Sequence, residues 1–342
     1  MSLWIIDKPE MASFVANVMR DYKVVGPKAK GPQFVFGEIE NPADLRLDYN
    51  TSVLPPKKYF QPQEERLMTF KRNGASSPDA VIEAEATVIF GVHTCDMHAM
   101  RVLDQAFTQN FPDAHYLARR SQTLLIGIEC LRPCDEHSFC KSMGTLTISQ
   151  GYDLHLTDLD DVYAVDVGTE EGLTLLKSCS NARLATESDM QRLNRALSAK
   201  WPHFPYKLEF EADELPALMS QSYNNPLWEE LAEKCLACGT CNIVCPTCFC
   251  FNVFDETDLS LENGERRRRW DSCLLDVFAR VAGGENFREQ RAARLRHRFM
   301  RKGRYLAERY KHPGCVGCGR CARLCLADIS PVNVFNELQH GK

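Results

Sequence analysis

The chain lacks any long apolar run. No stretch approaches the roughly 18 residues that a membrane-crossing helix needs, so no membrane span is expected. It lacks a basic excess too: 41 Lys and Arg face 46 Asp and Glu, a net charge of −5. A blanket nucleic-acid binder would be basic overall, and no nucleic-acid partner is expected. There is no G-x-G-x-x-G after a strand-like segment and no G-x-x-x-x-G-K-[ST], which leaves dinucleotide or nucleotide binding by this chain unsupported. The first ten residues carry Asp7, Lys8 and Glu10 and hold no uninterrupted apolar stretch of the signal-peptide kind. A cytoplasmic location is the expectation. With 25% charged and 44% apolar residues the chain is not disordered, and its 342 residues suggest two domains.

Cysteine is what the chain has in quantity: 16 residues. Inside a reducing compartment thiols bind metal or do chemistry more often than they pair as disulfides. Four lie between Cys95 and Cys140, Cys179 stands alone, and eleven lie between Cys235 and Cys325. The split predicts an α+β protein: a mixed α/β domain over residues 1–220, then an α-helical, ferredoxin-like dicluster domain over residues 221–342. In the first part, residues 87–92 (TVIFGV) and 123–128 (TLLIGI) read as buried strands. Residues 154–157 and 163–167 read as further strands, and 97–107 and 191–199 as helices. The second part reads as mostly helical, with helices over 227–234, 273–281 and 287–310.

The decisive pattern is Cys235-x2-Cys238-x2-Cys241-x3-Cys245-Pro246, followed, with 69 residues between Cys245 and Cys315, by Cys315-x2-Cys318-x2-Cys321-x3-Cys325. Bacterial ferredoxins hold [4Fe–4S] clusters at this spacing. Three closely spaced thiolates wrap one face of a cubane, and the fourth reaches the other cluster. Gly239, Gly317 and Gly319 let the backbone come close. The crosswise reading gives cluster one Cys235, Cys238, Cys241 and Cys325, and cluster two Cys315, Cys318, Cys321 and Cys245. Zinc is the bland alternative, but zinc uses two C-x2-C pairs and has no need of this doubled run. Each cluster carries a formal −2 with its four thiolates. Residues 266–311 hold a local charge of +10, from 15 basic and 5 acidic residues. Arginines 266–269 and the arginine-rich helix either offset the cluster charge, form a solvated face, or dock an acidic partner.

Cys95, Cys130, Cys134 and Cys140 form an open set. Cys95 and Cys130 each follow a predicted strand, at the edge where α/β folds place sites. Together the four suit a third [4Fe–4S] cluster, zinc, or plain buried thiols, and their spacing matches no ferredoxin run. His93, His98 and His137 beside them read as hydrogen-bonded histidines rather than ligands. Cys248, Cys250 and Cys273 read as packing or second-layer sulfur, as extra ligands, or as reactive thiols, and Cys179 as a small core residue.

Several strings carry a family resemblance: GVHTCDMHAM (91–100), CKSMGT (140–145), GYDLHLTDL (151–159), CLACGTCNIVCPTCFCFNVFDE (235–256), RRRWDSC (267–273) and CVGCGRCARLC (315–325). Over about residues 80–330 the chain resembles the beta, iron–sulfur subunit of cytoplasmic nickel–iron hydrogenases of the sulfhydrogenase type. It is similar also to the A subunit of anaerobic sulfite reductase. The resemblance implies a relay without a catalytic centre of its own, passing electrons between a flavin subunit that binds FAD and NAD(P) and a hydrogenase or sulfite reductase catalytic subunit. A different class of function, disulfide or polysulfide reduction at Cys248, Cys250 or Cys273, remains beside it.

Overall fold

The computed structural model describes residues 3–72 and 77–341. Its strands, in chain order, are β1 (Trp4–Asp7), β2 (Lys23–Lys30), β3 (Gln33–Glu38), β4 (Glu64–Lys71), β5 (Asp79–Ala80), β6 (Thr87–His93), β7 (Thr123–Ile128), β8 (Leu154–Asp158), β9 (Val162–Val167), β10 (Arg183–Leu184), β11 (Phe251–Thr257) and β12 (Asn263–Trp270). The helices are α1 (Met11–Val18), α2 (Thr94–Thr108), α3 (Ala114–Ser121), α4 (Glu170–Cys179), α5 (Glu187–Ala199), α6 (Leu215–Gln221), α7 (Leu227–Lys234), α8 (Thr240–Ile243), α9 (Arg291–Met300), α10 (Leu306–Tyr310), α11 (Arg320–Arg323) and α12 (Pro331–His340). The class is α+β.

Eight strands form one mixed sheet in the order β10-β1-β9-β8-β7-β6-β2-β3. Its centre, β2, β6, β7 and β8, is parallel. That explains the sequence of β6: TVIFGVH is buried at every position, as a strand covered on both faces must be. Phe14, Phe90, Leu125, Ile126 and Leu156 meet in the core between sheet and helices, each contributing roughly 1.5–3 kcal/mol by burial. Cys179 joins this core as a small apolar side chain. The second core lies among α6, α7, α9 and α12, where Trp228, Phe299 and Phe335 are almost fully buried. Phe299 and Phe335 meet edge to face at 5.7 Å.

Three features depart from the sequence reading. Residues 251–270 form a hairpin, β11–β12, within a part read as mostly helical, and its second strand pairs with β4 from the first part of the chain. The arginine run therefore lies on a strand, and its charges are met by carboxylates across the ladder. Arg266 binds Asp255 at 2.7 Å, Arg267 binds Glu64 at 2.8 Å, and buried Arg268 binds buried Glu65 at 2.6 Å and also Asp113. Arginines 266–268 are thus neutralised by neighbours of their own. The expected helix over 273–281 is only a single turn, Asp276–Ala279, because Cys273 and Leu274 are packed into the site below. The long helix begins at Arg291 rather than 287, since Asn286 turns the chain by accepting from the Arg288 amide at 3.0 Å. It also widens into a π turn over Arg301–Tyr305. A π turn shifts the side-chain register, and here Lys302 and Gly303 become the buried residues.

Candidate iron–sulfur site

The two cysteine runs fold as one motif used twice. Each runs through left-handed residues into a single helical turn: Ala237 and Gly239 lead into α8, Gly317 and Gly319 into α11. The glycines are required twice over at 317 and 319. Their φ angles are 65° and 73°. A Cβ at Gly317 would also lie 2.6 Å from the Cys140 amide nitrogen, and one at Gly319 2.6 Å from the His137 carbonyl carbon. The two turns α8 and α11 pack against each other. After each, the fourth cysteine starts another turn: the Cys248 amide donates to the Cys245 carbonyl at 3.3 Å, and the Asp328 amide to the Cys325 carbonyl at 3.2 Å.

Around Cys241 the structure gathers Cys235, Cys238 and Cys325. Burial raises the Cys241 thiol, Arg298 opposes this, and those three neighbours add to it. Around Cys315 it gathers Cys321, Cys245 and Cys318, again with burial as the first cause of a raised thiol. Cys318 is pushed up to about 12 by burial, with Arg320 opposing and Cys245 and Cys321 adding. Cys321 feels both Cys245 and Cys241, so the two sets lie side by side. Backbone amides already point at sulfur: Ala237 donates to Cys235 at 3.4 Å and Ile329 to Cys325 at 3.3 Å. Such N–H···S contacts tune cluster potential.

Three cations are buried beside these thiols. Arg298 is 3% exposed. Burial disfavours its charge, but Cys241, Cys321, Cys245 and Cys248 more than restore it. Its Nε finds no hydrogen-bond partner among the described residues. Lys302, turned inward by the π segment, donates to Thr247 Oγ1 at 2.6 Å, and Cys245 and Cys248 hold its pKa above the ordinary lysine value despite burial. Lys57 donates to the Cys248 carbonyl at 2.6 Å and lies 4.2 Å from the Trp270 ring centroid. Burial pulls it down to about 8 although Cys248 and Cys245 oppose. Buried cations of this kind are costly without negative charge to meet them. Neutral thiols supply none, whereas thiolates on a cubane do. The residues therefore fit [4Fe–4S] groups, and the cations that matter are on the π-widened helix and at Lys57. Sequence reasoning named the helix but missed Lys57, 178 positions before Cys235; no local signal marks it.

Cys248, Cys250 and Cys273 lie alongside. Asn242 Nδ2 donates to Ser272 Oγ at 2.9 Å and to Cys273 Sγ at 3.1 Å, and Cys248 Sγ donates to Asn242 Oδ1 at 3.6 Å. Cys250 is held down to about 6, first by its hydrogen bond with Cys273 and then by Arg301 and Lys302, against burial.

The four cysteines of the first part are also brought together. Cys95 opens α2 directly after β6, and Cys130 follows β7. Cys134 and Cys140 lie on the loop that leads on to β8. Burial raises all four thiols, Cys134 to about 12 and Cys140 to about 11. Cys130 feels Cys134 and Cys140, and Cys95 feels Cys318 and Cys134. His93 is buried, stacks on Tyr49 at 4.2 Å, and has Nδ1 3.9 Å from Cys134 Sγ. His98 Nε2 contacts the Thr147 carbonyl at 2.8 Å, and His137 lies 3.6 Å from Glu136. Among the described residues no three His, Cys, Asp or Glu side chains converge on a point as a single metal ion would require.

Comparison with known proteins settles the affiliation. Residues 234–329 match the family described as a 4Fe-4S dicluster domain. Sulfhydrogenase 2 subunit beta of Pyrococcus furiosus is 35% identical over 336 residues, covering 97% of this chain and 96% of that protein. The chain belongs to the sulfhydrogenase beta-subunit family. No solved structure matches it. As a sulfhydrogenase beta-type chain it is an iron–sulfur protein, and the relative's name makes that protein one subunit of several. No helix among the described residues is long and apolar enough to cross a membrane.

Proposed function

We propose that this chain is the electron relay of a cytoplasmic oxidoreductase complex. It carries electrons one at a time between a subunit binding FAD and NAD(P) and a nickel–iron hydrogenase or sulfur-reducing catalytic subunit. Residues 221–342 form the ferredoxin-like part. Cluster one is held by Cys235, Cys238, Cys241 and Cys325, and cluster two by Cys315, Cys318, Cys321 and Cys245. The observation that carries this is the pair of facing Cys–Gly turns with Arg298 and Lys302 buried against their thiols. The clusters, when bound, supply one-electron storage. The protein's own part is to seat them, exclude water and set their potentials: each buried cation favours the more negative, reduced state. The test is isolation of the native complex. A flavoprotein and a larger catalytic subunit should accompany the chain, and a fully active reductase made of this chain alone would overturn the reading. An anaerobic sulfite reductase partner in place of hydrogenase would be read from the same preparation.

One observation favours a second reading, disulfide or polysulfide reduction beside the clusters: the half-buried Cys250 with its lowered pKa next to Cys273. It predicts that Cys250→Ser abolishes polysulfide reduction by the complex while leaving reduction of a one-electron dye intact. Unchanged polysulfide reduction excludes it.

A further inference from the structure

We propose that Cys95, Cys130, Cys134 and Cys140 hold a third [4Fe–4S] cluster, set against cluster two across a wall made by the segment from Val316 to Arg320. These four residues are not used by the dicluster reading, though the position of the new cluster in a chain of three rests on it.

The first ground is placement. β6, β7 and β8 are parallel, and Cys95 and Cys130 leave the carboxyl ends of β6 and β7. Open α/β sheets bind their ligands in the crevice outside those ends. The loop that follows Cys130 returns Cys134 and Cys140 to the same crevice. Cys130 packs with Cys140, Leu146 and Phe204. Four thiols from two separate segments are thus assembled without closing a disulfide. They do not converge on one point, which a tetrahedral zinc needs, whereas a cubane sets its thiolates around a larger body.

The second ground is the shared wall. Cys95 packs with Ala99, Val316 and Cys318. The Phe139 amide donates to the Gly317 carbonyl at 2.7 Å, and the Thr145 hydroxyl donates to the Val316 carbonyl at 2.7 Å. Gly317 lies so close to the Cys140 backbone that no side chain fits between them. The same segment that supplies cluster two therefore also closes the N-terminal crevice.

The third ground is charge. Arg320 is 1% exposed and forks onto Asp96 at 2.6 and 2.7 Å, with Nε donating to the Ser52 carbonyl at 2.9 Å. Arg323 pairs with Asp135. Asp96 and Asp135 are the residues next to Cys95 and Cys134, so each ion pair clamps one N-terminal cysteine to the cluster-two helix. Lys200, 2% exposed, pairs with Glu129 at 2.8 Å beside Cys130. The arrangement makes cluster two the middle of a row of three. An electron leaving reduced cluster two oxidises it to the 2+ core and reduces the third cluster to the 1+ core, with no other reactant.

Iron and acid-labile sulfide in the anaerobically purified full chain test this, together with zinc and the EPR spectrum after reduction. The expected result is about 12 iron and 12 sulfide per chain. In Cys134→Ser the iron content falls to about 8 while the C-terminal cluster signals persist. A wild-type content of about 8 iron, with or without one zinc, overturns the proposal. So does wild-type iron content in both Cys134→Ser and Cys95→Ser. If the variants do not fold, the wild-type count decides alone. Cys241→Ser separates this from the relay reading: it should take iron from the C-terminal pair and leave the third cluster's signal in place.

Discussion

The C-terminal cysteines and the N-terminal cysteines end in similar surroundings by different routes. The first are local: eight residues on two short runs, spaced so that the chain itself wraps each cubane. The second are assembled by a sheet: Cys95 and Cys130 come to the same end of it because β6 and β7 are parallel neighbours. Spacing in a local run suggests which ligands group together, whereas a site built by strand order shows in sequence only as candidates at predicted strand ends until the topology brings those ends side by side. Both regions then share one structural element, α11 and the turn before it, held to the α/β part by Arg320–Asp96.

That shared element gives the largest expected effect. Arg320→Met leaves Asp96 buried and unpaired, and removing one partner of a buried pair costs about 3–5 kcal/mol. Thermal melting of the full chain should fall sharply, and iron should be lost from both regions together. Loss from one region alone would mean that the wall is not shared. Next comes Cys241→Ser, which should remove C-terminal iron and leave the N-terminal thiols unaffected, as read by iron analysis and EPR. Arg298→Met should be milder. It keeps the packing volume but removes a buried positive charge, so the C-terminal clusters become harder to reduce. The downward shift in midpoint potential is on the order of 50 mV, about 1 kcal/mol for one electron; an upward shift would contradict the charge argument. The smallest effect is that of Arg266→Ala. Its partner Asp255 is solvent-exposed, so melting temperature and iron content should stay essentially unchanged.

The last variant marks a limit of sequence reading. Arginines 266–269 look like a charge reservoir because four cations in a row suggest a surface. On β12 they alternate between faces, and β4 and β11 supply Glu64, Glu65 and Asp255 opposite them. Those partners are up to 203 positions away for Arg268 and Glu65, beyond any local pattern. The mixed α/β segment was legible because TVIFGV and TLLIGI are apolar throughout, as strands covered on both faces are. The hairpin was not legible, since FNVFDET and NGERRRRW bury little and gain their order from pairing with β4. The doubled spacing of the eight ferredoxin-type cysteines is legible in the sequence, but the buried cations beside them are only partly so. Arg298 and Lys302 lie on one helix in sequence, yet only the π turn brings Lys302 to face the thiols.

The central claim is that electrons pass through the C-terminal clusters. The direct measurement is anaerobic stopped-flow absorbance of the intact complex mixed with NAD(P)H, comparing wild type with Cys241→Ser. In the wild type, flavin reduction should be followed by bleaching of the cluster absorbance and then by reduction of the catalytic subunit. In the variant, flavin should reduce at the wild-type rate while the catalytic subunit stays oxidised. A variant that reduces its catalytic subunit at the wild-type rate would contradict the account.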